Sequence, residues 1–201
     1  MYEVVVFLVL LAAAFDCFYF IRACAVYLQC RLLRCLGFSK RSSIYEERRL
    51  KSVVLPTDID ALGHMNNSRY LREFDYGRLD WFTATDLYQA ARKLQPSRAP
   101  VVAAISIRFR KSLLLFQVFD IKTRLMAWDE ESLYLEQRIV NGRDFVCAIV
   151  LCKSVVPGVN PQDLFNEIEG NRVTSPPMPA DLCSWISSNK NSSNRLRQEV
   201  N

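Results

Sequence analysis

The chain has 201 residues, half of them hydrophobic and 23% charged, with 26 Lys+Arg, 21 Asp+Glu, one His and six Gly. These proportions exclude a disordered, collagen-like or low-complexity polymer, and the length fits one ordinary domain with extensions. A single histidine excludes a multi-histidine metal centre. Seven cysteines, an odd number with four in the first 35 residues, fit free thiols in a reducing compartment better than a disulfide framework.

Charge is unevenly placed. Residues 1–21 carry only Glu3 and Asp16, whereas residues 22–41 carry Arg22, Arg31, Arg34, Lys40 and Arg41 and no acid. The remainder is close to balanced. The basic character thus belongs to one short segment, and with no basic–aromatic recognition pattern nucleic acid is not an expected partner.

Val4 to Ile21 is an apolar run of 18 residues whose one charge is Asp16. At about 1.5 Å per residue it just spans a hydrocarbon core of roughly 30 Å. The basic cluster behind it places the rest of the chain in the cytosol by the positive-inside rule. The expected location is the endoplasmic reticulum membrane with a cytosolic body. The alternative is a cleaved signal peptide and a secreted product, although Met1-Tyr2-Glu3 lacks a basic leader. Residues 22–38 read as a juxtamembrane helix at the headgroups, with arginines snorkelling to anionic lipid. Cys24, Cys30 and Cys35 there are either acylation sites or plain helix residues. Membrane lipid is therefore an expected partner of residues 4–38.

Leu50–Leu55 is β-rich and stopped by Pro56. A polar stretch follows, and then Tyr70, Leu71, Phe74, Gly77, Arg78, Trp81 and Phe82 fall at helical spacing. Asn66 or Asn67 stands where a side-chain oxygen caps the helix start. A short helix is expected over Asp86–Leu94, then a loop over Pro96–Pro100. From Val101 the period becomes two: Val101–Phe109, Phe119–Leu125, Leu133–Ile139, and Phe145–Val156 after the hairpin signal Asn141-Gly142. One strand, one long helix and four antiparallel strands make an α+β domain with its sheet wrapped on the helix. A helix near Pro161–Glu169, a proline-rich stretch and a mobile polar tail complete the chain. The expected division is 1–41 for the anchor and basic helix, 42–157 for the central domain and 158–201 for the extension.

The run Asp60-Ala61-Leu62-Gly63-His64-Met65-Asn66-Asn67, with Tyr70, Phe74 and Arg78 after it, resembles the D-x-x-G-H-x-N-N motif of hotdog-fold acyl-CoA thioesterases. The match covers about residues 45–157. With its apolar start and its Trp185-Ile186 pair, the chain looks like the thioesterase superfamily member six group. The resemblance implies a hotdog fold, paired in a homodimer or higher homo-oligomer, acting on acyl-CoA or acyl-protein thioesters in lipid metabolism, with no metal or cofactor.

It also implies that Asp60 is the general base or nucleophile and His64 a second catalytic group. Gly63, Met65, Asn66, Asn67 and Tyr70 would line the substrate. Backbone N–H groups near Gly63–Met65 at the helix start would polarise the thioester carbonyl. Each residue also has a plainer reading: Asp60 as a turn aspartate, His64 as a donor to a carbonyl, Asn66 and Asn67 as caps, Tyr70 as core. Leu62 replaces the asparagine of the plant D-x-N-x-H enzymes, so a plant-type triad is incomplete. A hotdog scaffold that binds lipid or protein without turnover is the alternative function. Arg108, Arg110 and Lys111 are either a site for coenzyme A phosphate or a solvated face.

Overall fold

The computed structural model describes residues 2–7 and 17–200. Its elements are α1 (Cys17–Cys35), β1 (Arg48–Val53), a 3-10 turn (Pro56–Asp58), α2 (Asn67–Ala84), α3 (Leu87–Leu94), β2 (Val101–Phe109), β3 (Val118–Trp128), β4 (Leu133–Asn141), β5 (Val146–Val155), α4 (Pro161–Glu169) and α5 (Ala180–Val200). The five strands form one antiparallel sheet in the order β1-β3-β4-β5-β2. β1 and β2 are its two edges. The sheet curls on α2, as the alternating strand pattern after one long apolar helix requires.

The α2 helix is the core element because its apolar residues recur at three and four. Tyr70, Phe74, Trp81 and Phe82 are buried against Ile121, Leu125, Leu135 and Val150 of the sheet. Gly77 lets the helix come close: a Cβ there would lie 2.6 Å from Ile121 Cγ2 and 2.9 Å from Gln137 Nε2 and Thr123 Oγ1. Gln137 crosses this contact, donating to the Phe74 carbonyl at 2.9 Å and to Thr123 Oγ1 at 3.1 Å, while its own oxygen accepts from Arg78 at 2.7 Å. A buried amide satisfied in this way fixes helix and sheet in one register.

The α1 helix docks on α2 by charge. Arg22 donates to Glu73 Oε1 at 2.7 Å and to Ser52 Oγ at 2.6 Å, and Ser52 donates to Glu73 Oε2 at 2.7 Å. Arg34 binds Asp86 at 2.6 Å and caps the end of α2 by donating to the Ala84 carbonyl at 2.6 Å. Arg31 also approaches Asp86, at 3.8 Å. The sequence reading sent these arginines to lipid headgroups. Here Arg22 and Arg34 turn inward, because Glu73 and Asp86 are otherwise left with only more distant cations, Arg72 at 3.5 Å and Arg31 at 3.8 Å.

Three other expectations change. The apolar run 4–21 has residues 8–16, including Asp16, outside the described residues, so half of the membrane span expected there lies outside them. Among the described residues no helix is long and apolar enough to cross a membrane. The polar tail is not loose but helical through α5, whose Leu182, Trp185 and Ile186 share one stripe and pack with Met178 against Met126, Ala127 and Tyr134. The first strand begins two residues earlier than Leu50, since Leu55 instead precedes the Pro56 turn.

All seven cysteines are free, with Cys30 buried between α1 and the domain and Cys24 and Cys35 exposed. Among the described residues no group of three His, Cys, Asp or Glu side chains is placed to hold a metal ion.

Candidate active site

The D-x-x-G-H segment forms a tight turn between the 3-10 turn and α2. Asp60 N–H donates to the His64 carbonyl at 3.0 Å and Gly63 N–H to the Asp60 carbonyl at 3.0 Å. Gly63 has φ +76°, the left-handed region that glycine enters without steric cost. The turn is held from both sides: Ile59 bridges Met65, and His64 bridges Leu114 of the loop after β2. Met65 N–H donates to the Leu113 carbonyl at 2.9 Å, and the Met65 side chain is buried.

This closure brings Asp60 and His64 together. Asp60 Oδ2 lies 3.5 Å from His64 Nδ1, with the side chains 21% and 28% exposed, so the pair is open to a ligand yet partly shielded. Asp60 Oδ1 accepts the Leu62 N–H at 2.9 Å, which fixes the carboxylate's direction. The same imidazole nitrogen is 3.3 Å from the Met65 carbonyl. Carboxylate, imidazole and carbonyl thus meet at one ring nitrogen, the arrangement that holds a histidine in one tautomer.

Asn66 caps α2, its side chain accepting from Ser68 N–H at 2.9 Å and from Ser68 Oγ at 2.7 Å. Arg69 N–H goes to the Asn66 carbonyl at 2.9 Å. Asn67, the first helical residue, is exposed. The Gly63 and Met65 amides expected to face a substrate are therefore both engaged inside the loop. Neither loop bond takes the His64 or the Asn67 N–H. Tyr70 is in the core: its hydroxyl accepts the Leu113 N–H at 3.2 Å and its ring meets Phe109 edge-on at 5.2 Å. Burial raises the Tyr70 phenol above its ordinary pKa, against a lowering by the Leu113 bond, so it stays neutral at physiological pH.

Residues the sequence reading passed over hold this turn in place. Asp58 is buried; its carboxylate accepts the Leu55 N–H at 2.9 Å and pairs with Arg72 of α2, and its carbonyl accepts Asn66 N–H at 2.8 Å. Arg72 Nη2 is also 3.5 Å from Glu73 Oε1. One chain of charges thus runs from Arg22 on α1 through Glu73 and Arg72 to Asp58, two residues before Asp60. The available signal was the charged pair Arg72 and Glu73, set between the apolar positions Leu71 and Phe74 of the helix.

The surroundings of the turn are apolar. Leu62, Leu114, Leu115 and Phe116 are all exposed, and Phe116 holds φ +61°, a costly conformation for a bulky residue. The loop continues from β2, whose outer edge is unpaired among the described residues and carries exposed Val101, Val102, Ile105 and Phe109. Lys111 and Arg110 stand over the Phe145 ring at 5.8 and 5.0 Å, two and three residues before Leu113.

The family model described as the thioesterase-like superfamily matches residues 54–186. The chain is 40% identical over 194 residues to "Protein THEM6" of Xenopus laevis, with 94% of this chain and 90% of that one covered. It is 39% identical over 191 residues to "Protein THEM6" of Danio rerio, covering 94% and 91%. Among solved structures, a gentisyl-coenzyme A thioesterase superposes with a TM-score of 0.53 at 17% identity, covering 61% of this chain and 99% of that one. A 1,4-dihydroxy-2-naphthoyl-CoA thioesterase from Synechocystis gives 0.52 at 13% identity, covering 61% and 96%. At such identities these two neighbours report the shared fold.

Proposed function

Because the chain belongs to the thioesterase-like superfamily, we propose that it is a membrane-anchored homodimeric hydrolase of acyl-CoA or acyl-protein thioesters in lipid metabolism. The observation that carries this reading is the Asp60–His64 pair, 3.5 Å apart on a tight turn against the N-terminus of the buried helix.

The chemistry follows from the groups present. With Oδ1 tied to Leu62, the Asp60 carboxylate keeps Oδ2 for a water molecule. As it takes the water's proton, the oxygen attacks the thioester carbonyl carbon. The resulting oxyanion is received by the N–H groups of His64 and Asn67 at the positive end of α2. Its collapse breaks the C–S bond, and the proton on Asp60 returns to the leaving thiolate. His64 orients the carboxylate. The exposed apolar residues of the 114–116 loop receive the acyl chain. Arg108, Arg110 and Lys111 meet the phosphates of coenzyme A.

The unpaired β2 edge supports the dimer: an exposed strand rich in Val, Ile and Phe is a template for pairing with a second copy. That pairing would bring the partner over the loop beside Asp60. The apolar run 4–21 supports anchoring in a membrane, with the endoplasmic reticulum and a cytosolic hydrolase as the reading. Free coenzyme A thiol released by the purified full chain across a panel of acyl chain lengths tests the function. Turnover of at least one length is expected; none at any length would refute it.

A second reading, a scaffold that binds acyl-CoA or lipid without turnover, rests on Leu62, whose apolar side chain cannot hold a water beside Asp60. Binding of acyl-CoA with no thiol release would select it.

A further inference from the structure

The α1 helix is amphipathic in the wrong sense for a surface helix in water. Of its three charged residues, Arg22 and Arg34 face the protein, paired with Glu73 and Asp86, Arg31 reaches toward Asp86 from the edge of the helix at 3.8 Å, and Val26 and Cys30 are buried beside them. On the opposite side Phe18, Ile21, Leu28, Leu32 and Leu36 are each more than half exposed. Cys24, Ala25 and Cys35 lie between them and are exposed too. At 3.6 residues per turn these positions occupy an arc of roughly 120° without a single charge, along a helix roughly 28 Å long. Monomeric proteins rarely leave a continuous apolar stripe of this size in water.

We infer that α1 lies along the lipid surface as a second membrane contact, its outward stripe at the level of the acyl chains and its arginines turned away from the bilayer into the domain. Two features choose lipid as the occupant. The stripe shares Phe18 and Ile21 with the apolar run 4–21, so whatever receives that run lies next to α1. And α1, with Arg22, Arg31 and Arg34, is not apolar enough to cross, which leaves a position along the surface.

The consequence is a fixed orientation. Since α1 is held to α2 through Arg22–Glu73 and Arg34–Asp86, the bilayer surface runs parallel to the central helix. The turn carrying Asp60 is then held close to the membrane, through the ionic chain that ends at Asp58. The inference rests on the anchoring proposed above but not on thioester hydrolysis.

The native thiols test it. Full-length protein is reconstituted into phosphatidylcholine–phosphatidylserine vesicles, floated, and treated with a charged maleimide. Exposed Cys183 on α5 is the water-facing reference and buried Cys30 the folded-state control. The chain is expected to float and Cys183 to label, with Cys24 and Cys35 reacting at least ten-fold more slowly. An apolar benzophenone maleimide on Cys24 and Cys35 is then expected to crosslink to lipid on illumination. Labelling of Cys24 and Cys35 at the rate of Cys183, or crosslinks to a second copy of the chain, in protein that floats would overturn the lipid-facing stripe and leave the anchor standing. Protein that does not float overturns both.

Discussion

Replacing Gly77 by Ala sets two effects of known size against each other. In a helix interior Ala is favoured over Gly by about 1 kcal/mol. The added Cβ, however, meets Ile121 Cγ2 at 2.6 Å and both Gln137 Nε2 and Thr123 Oγ1 at 2.9 Å, all in the buried layer between α2 and the sheet. Overpacking there costs about 1–3 kcal/mol. Displacing Gln137 also weakens its bonds to Phe74 and Thr123, a loss of about 1–3 kcal/mol for buried groups left unsatisfied. The clash therefore exceeds the propensity gain, and the net expected loss is about 3 kcal/mol. At about 2–4 °C per kcal/mol for a chain of this size, Tm should fall by about 6–12 °C. Urea titration and thermal melts of the full chain in mild detergent, followed by circular dichroism, measure both. Gly142→Ala is the control, because nothing lies within 4 Å of its Cβ; it should stay within about 0.5 kcal/mol of the wild type. A Gly77→Ala chain as stable as the wild type, or more so, would refute the close approach of α2 to β3 and β4.

Arg22→Met removes a charge partner of the fully buried Glu73, leaving it Ser52 and a distant Arg72. The expected loss is about 2 kcal/mol, below the usual cost of breaking a buried pair because Arg22 is a quarter exposed; Glu73→Gln in the same chain should recover part of it, and an unchanged urea midpoint would contradict the ionic dock. Glu169 is pushed up by burial, but the bonds from Arg41, the Ile44 N–H and Ser43 outweigh this and hold its carboxyl below the ordinary 4.5. A depressed carboxylate stabilises above its unfolded pKa and loses that contribution as pH falls through the folded value, so Glu169→Gln should flatten the acid limb of a Tm–pH curve below about pH 5. An identical acid limb would contradict it. The proposed dimer is tested by Ile105→Lys on the β2 edge: the wild type should sediment at twice the 23.2 kDa of one chain and the variant at that of one chain, and equal masses for the two would contradict pairing through β2.

Much of the fold was legible because its signals are local. Helical spacing from Tyr70 to Phe82 marked α2, the Asn66-Asn67 pair marked its start and the structure puts the cap on Asn66, and alternation with Asn141-Gly142 marked the strands and their hairpin. What escaped depends on residues distant in sequence. Arg22, Arg31 and Arg34 read as lipid-seeking because Glu73 and Asp86, about fifty positions on, gave no sign that they would claim Arg22 and Arg34. Asp58 drew no role from its place in the sequence, and only the fold turns Arg72 of α2 toward it. Polar composition hid α5, since three apolar residues at helical spacing suffice to seat its first turns. In the candidate site the motif identified the turn, but the engagement of the Gly63 and Met65 amides depends on Asp60 and Leu113 carbonyls that no spacing rule places.

The most direct test compares wild type with Asp60→Asn on one hydrolysed acyl-CoA, following thiol release, alongside calorimetric binding of the matching non-hydrolysable thioether. Loss of turnover by at least 100-fold with unchanged thioether affinity is expected from removal of a general base. Equal thiol release by both proteins would show that the Asp60 carboxylate plays no part in the chemistry.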